Sequence, residues 1–131
     1  MRNTGTVTNT YDNLIAGEVA EPVSVVVAKS QTVARGDLLE CVVTEAVDGA
    51  AITRTVAAEF GKPSAKAATQ NIYVIAADAI TTGSGATGVV VAYRAGNFNA
   101  ASVALGGSST VADNYETLLA KGIVLKAVQS K

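Results

Sequence analysis

Gly83, Gly85 and Gly88 in Gly83-Ser84-Gly85-Ala86-Thr87-Gly88 have the spacing of a dinucleotide-binding loop. Such a loop holds a pyrophosphate only when a strand leads into the glycines and a helix starts at the last one, aiming its amides at the phosphates. Here the strand-like run Val89-Val90-Val91 follows instead. The fingerprint also needs a carboxylate roughly 20 residues further on, and Asn97 to Leu105 contains no acid. The stretch therefore reads as a hairpin loop, and no cofactor is expected.

Other catalytic chemistry has little to work with. The chain has no histidine, which removes Ser-His and Cys-His pairs and imidazole-based metal sites. Cys41 is the single cysteine and sits in an apolar strand pattern, where a thiol is buried and inert. Asp37, Glu40 and Glu45 fall on turn and strand edges with no pocket signature, so they read as solvated acids. Ser64 with Lys66 suits an ordinary polar loop. Arg35-Gly36-Asp37 matches an adhesion tripeptide, but without a secretion signal Gly36 reads as a turn residue. No catalytic, cofactor-binding or metal-binding residue is expected, and the chain is not expected to be an enzyme.

The elements that position these residues follow from composition and pattern. At 131 residues the chain is the size of one domain. Only 16% of residues are charged while 49% are hydrophobic, against a usual charged share of about 25%. A monomer with so few charges exposes small apolar surface, as an assembly subunit does. Net charge is -1, which leaves no basic surplus for nucleic acid or anionic membrane. A lone cysteine, no signal-like start and no run of ~18 apolar residues lead to the expectation of a soluble protein made in the cytoplasm.

Residues 1–20 are Thr, Asn and Gly rich and read as a flexible arm, in which Tyr11, Leu14 and Ile15 are isolated apolar side chains, packed on their own domain or on a partner. Residues 21–131 form the body. Val23 to Ala28, Leu38 to Val43, Ala51 to Val56, Ile72 to Ala76, Val89 to Tyr93 and Ile123 to Val128 read as strands. Asp48-Gly49 marks a hairpin turn and Gly96-Asn97 another. Ala51 to Val56 alternates with period two, as a half-buried strand does. Residues 57–70 fit a short helix or a loop. Asp113 to Lys121 reads as a helix with Tyr115, Leu118 and Leu119 on one side, closed by Gly122. The sum is a mainly β domain with one short helix near the C-terminus.

Several blocks, in order, resemble the protein D-like head decoration (cement) family of tailed phages. They are Leu14-Ile15-Ala16-Gly17 with Glu21-Pro22-Val23, then Val33-Ala34-Arg35-Gly36-Asp37-Leu38-Leu39, then Ile72-Tyr73-Val74-Ile75-Ala76-Ala77-Asp78. Ala92-Tyr93-Arg94-Ala95-Gly96-Asn97-Phe98-Asn99 and Tyr115 to Leu125 complete the series. The chain departs from the family pattern in lacking Trp, in having few Pro, and in its Gly/Ser loop at Gly106 to Thr110. The resemblance implies a β-clip-like subunit that binds the outer surface of the expanded head as a homotrimer at three-fold and quasi-three-fold sites. Its partner would be the major capsid protein, and it would stabilise the virion against internal DNA pressure. Capsid contact is thereby implied for Tyr11, Leu14, Ile15, Glu18, Pro22 and Val23. The alternatives are a small β-barrel ligand-binding or adhesion module and a minor tail protein.

Overall fold

The computed structural model describes residues 14, 15 and 20–126. Its strands are β1 (Glu21–Val27), β2 (Thr32–Val33), β3 (Leu38–Cys41), β4 (Val43–Asp48), β5 (Ala51–Val56), β6 (Ile72–Ala76), β7 (Ile80–Thr81), β8 (Gly88–Asn99) and β9 (Ile123–Lys126). One helix, α1 (Val111–Leu119), precedes β9, and a single 3-10 turn covers Ala100–Ser102. The domain is thus mainly β with one helix near the C-terminus.

The main sheet runs β1-β8-β6-β3, all antiparallel, with β9 added parallel to β8. Its centre is buried on both faces. Tyr73 and Ile75 of β6 enter one apolar cluster with Leu38, Phe98, Leu118 and Ile123, while Val74 and Ala76 enter a second with Val25, Val27, Leu39 and Val90. Successive strand residues point to opposite faces, so a strand covered on both sides must be apolar throughout. That is why Ile72 to Ala76 reads as an unbroken run rather than an alternation.

Gly96-Asn97 differs from the expected turn: both residues lie inside the long strand β8. The first part of β8 pairs with β1 and β6. From Gly96 onward it pairs with β9, and Ile15 bridges Phe98. Gly96 has φ of +145°, and a Cβ there would lie 2.9 Å from that of Ala20. The glycine therefore bends a continuing strand past a close neighbour, using the same residue type that a turn would use.

Gly36 does form its turn, at φ +98°, and a Cβ would meet the Ser102 carbonyl oxygen at 2.5 Å. The hairpin turn is shifted by one residue. Asp48 pairs with Ala51, so Gly49-Ala50 is the loop, with positive φ at Gly49 only, as in a type II′ turn. Residues 57–70 form a loop with no helix; it adds bridges from Phe60 to Val27 and from Gly61 to Glu40. The helix begins two residues earlier than expected, because Thr110 and Asp113 form a reciprocal capping box. Gly122 follows its C-terminus at φ +91°. Leu118 is buried there, whereas Tyr115 and Leu119 are exposed.

Candidate functional site

The hairpin β4–β5 stands apart from the rest of the sheet. Its six-pair ladder joins no other strand among the described residues, and apart from Val43 every one of its residues is exposed. Val47 and Ile52, directly opposed near the tip, are 71% and 69% exposed. The expected half-buried strand is therefore corrected: the alternation of β5 is real, but no described residue of the chain covers its apolar side.

The root of the hairpin is fixed by buried polar groups. Val43 N–H donates to Asn71 Oδ1 at 3.0 Å, Asn71 Nδ2 donates to Glu40 Oε2 at 3.0 Å, and the Tyr73 hydroxyl donates to the same oxygen at 2.8 Å. The Tyr73 oxygen in turn accepts from Ala68 N–H at 2.7 Å. Burial and the neighbouring Glu40 carboxylate push the Tyr73 phenol above its ordinary range. Glu40 is thus an anchoring acid, where the sequence had suggested a solvated one. Asp37 is also buried; its carboxylate accepts from Ala34 N–H at 2.8 Å and lies 3.7 Å from Lys62 Nζ. Glu45 alone of the three is exposed.

Between the hairpin and the body lies an open cleft of about 650 Å³. Period-two alternation and the β4–β5 register put Glu45, Val47, Ile52 and Arg54 on one face of the hairpin. Glu45 and Arg54 of that face line the cleft, opposite Ile72, Arg94 and Lys121. Arg94 is paired with Glu21. Lys121 donates to the Thr69 carbonyl at 2.8 Å and lies over the Tyr73 ring at 5.9 Å. Desolvation and the nearby Arg54 cation lower its pKa. Among the described residues no carboxylate pairs with Lys121 or Arg54.

Comparison with known proteins gives no match. No family model, no curated protein and no solved structure corresponds to this chain. Function must therefore be argued from the residues and their placement.

The implied capsid-contact residues are dispersed. Leu14 is 1% exposed in the body's own core, and its carbonyl accepts from Asn99 N–H at 2.7 Å. Of the two placements open to this isolated apolar side chain, the structure has it packed on its own domain, in one cluster with Leu38 and Phe98. Ile15 bridges Phe98 but remains part-exposed. Pro22 is exposed on β1, at an edge of the main sheet and next to a register shift, where a residue without an N–H is tolerated. Val23 is half-buried against the second cluster. Tyr11 and Glu18 lie outside the described residues.

Cys41 is 1% exposed, donates to the Ala57 carbonyl, and has its thiol pKa raised by burial and by Glu40. Arg35 donates to the Ala77 carbonyl at 2.8 Å and stacks on Tyr93, which ties the Arg-Gly-Asp turn to the sheet. Gly83 to Gly88 connects β7 to β8 with no helix after it, and Gly83 and Gly85 face open space. Ser64 and Lys66 are both exposed. A second apolar patch, missed in the sequence, is formed by Val26, Val89 and Val91 on the outer face of β1 and β8. Its signal was present: Val23-Ser24-Val25-Val26-Val27 and Val89-Val90-Val91 are apolar on both alternating sets, more than one buried face requires.

Proposed function

We propose that this chain is a non-enzymatic decoration protein that binds the exterior of an expanded tailed-phage head. It would sit as trimers on three-fold and quasi-three-fold sites, tie neighbouring major capsid subunits together, and stabilise the virion against internal DNA pressure. The observation that carries this reading is the β4–β5 hairpin, whose apolar face no described residue covers. An isolated two-stranded hairpin is marginal in water, and a charge-poor chain with several exposed apolar patches belongs in an assembly. The ordered blocks that resemble the head decoration family supply the kind of assembly.

The capsid-binding arm of this reading is residues 1–20, of which Leu14 packs in the body core, so the test removes only residues 1–13. Ordering such an arm costs roughly 1–2 kcal/mol per fixed residue, and linking three arms in a trimer offsets this through effective concentration. Removing residues 1–13 should leave the melting temperature of the body unchanged and abolish retention on heads. Full retention without them would defeat the arm as the contact. The cleft, where Arg54 and Lys121 meet no carboxylate among the described residues, favours the runner-up of a ligand-binding module, since its volume is that of a small-molecule site.

A further inference from the structure

Two cations line the cleft without a carboxylate to pair either among the described residues. Arg54 stands on β5 of the hairpin, and Lys121 stands on the body just after α1. The acids that share the cleft do not answer them. Glu21 is paired with Arg94, and Glu45, the cross-strand neighbour of Arg54, makes no ion pair with it. Ile72 adds a part-exposed apolar side chain to the same wall. We propose that the cleft binds a small phosphate monoester, with its dianionic head held by Arg54 and Lys121 and its apolar body against Ile72.

Charge, donors and size together select this class of ligand. Burial and the nearby Arg54 cation already disfavour the charge on Lys121. A metal cation would add to that repulsion, whereas an anion reverses its sign. A carboxylate brings one negative charge. A phosphate monoester brings about −1.5 to −2 near neutral pH, enough to offset both cations. An ammonium carries three donors and a guanidinium five. The Thr69 carbonyl takes one from Lys121, which leaves donors on both side chains for charge-assisted bonds to phosphate oxygens. The same bond, with the Tyr73 ring 5.9 Å away, holds the ammonium at the wall. The volume of about 650 Å³ is that of a small-molecule site. Because Arg54 belongs to the hairpin and Lys121 to the body, the bound anion would also tie the two together. The inference deepens the reading of the cleft as a ligand-binding site, on which it rests, and does not depend on head binding.

The test is a titration of the full chain with phenyl phosphate, benzoate and phenol at constant ionic strength, followed by amide chemical shifts in nuclear magnetic resonance. Phenyl phosphate should saturate, with its shifts in β5, β6 and the residues just after α1. It should bind more tightly than benzoate, and benzoate more tightly than phenol. Arg54→Gln and Lys121→Gln should each weaken phenyl phosphate at least about tenfold, as loss of a hydrogen bond to a charged group does. Lys29→Gln removes the same charge from an exposed lysine that does not line the cleft, and should leave the affinity unchanged. Arg54 is exposed and Lys121 half-buried, so circular dichroism should show both variants folded; if Lys121→Gln unfolds, Arg54→Gln decides alone. Benzoate or phenol binding as tightly as phenyl phosphate, with the same shifts, would overturn the phosphate head and leave the cleft a ligand site. Affinity indifferent to both substitutions, or no saturable binding by any of the three compounds, would overturn the ligand site as well.

Discussion

The central strand β6 and the outlying strand β5 are both short, rich in β-branched residues and followed by Ala-rich loops, yet their burial is opposite. Four of the five residues of β6 are buried, and all six of β5 are exposed. β6 lies between β3 and β8 with apolar clusters on both faces. Among the described residues β5 pairs only with β4, and its apolar face looks out over a cleft. The same strand chemistry is thus used once to hold the body together and once to present a surface. Substitutions should separate the two uses.

The largest effect belongs to the body. Phe98→Ala removes a fully buried ring that stacks on Tyr93 at 5.8 Å and meets both β9 and Ile15. It should cost about 3–5 kcal/mol of unfolding free energy by denaturant titration. Leu14→Ala should cost about 2–5 kcal/mol by the same measurement, because Leu14 is packed in the same cluster. A neutral result would return it to the arm.

Asn114→Ala comes next. That side chain is wholly buried, accepts from Ala67 N–H and donates to Ser109 Oγ and the Thr110 carbonyl. Losing it leaves buried groups unpaired, at about 1–3 kcal/mol.

A smaller effect should appear at alkaline pH. The folded pKa of Tyr73 lies above its unfolded value, so above about pH 10 the unfolded state loses its proton first. The stability that the Tyr73–Glu40 bond contributes is present below that pH and is lost as the pH rises. In Tyr73→Phe the slope of stability against pH over this window should flatten. Val47→Ser with Ile52→Ser should have the smallest effect on the monomer, within about 0.5 kcal/mol. A large loss of stability would mean that the hairpin tip already has a partner within its own chain.

Much of the fold was legible from residue patterns, because β6, the first half of β8 and the Gly122 helix end carry strong local signals. The hairpin was legible as well, from Asp48-Gly49 and the alternation beyond it. What local patterns could not carry was the destination of each apolar face. Alternation in Ala51 to Val56 specifies one apolar side but not who covers it. Gly96-Asn97 resembles a turn because a strand that bends to change partners needs the same positive φ. Leu14 looked like an arm residue because the other members of its cluster, Leu38, Phe98 and Leu118 among them, are distant in sequence. Glu40 and Asp37 read as surface acids because their donors come from Tyr73, Asn71 and the turn at Ala34. The cleft depends on residues from β5, β6, β8 and the segment after α1, and no local motif announces it.

Decoration of a phage head is tested most directly by counting. Purified protein is mixed with undecorated expanded heads, the heads are pelleted, and the bound copies are quantified as protein concentration and salt are raised. A decoration protein should saturate at three copies per three-fold site and, with apolar and backbone-mediated contacts of the kind proposed, remain bound in high salt. Heads that pellet bare at every protein concentration would contradict that function.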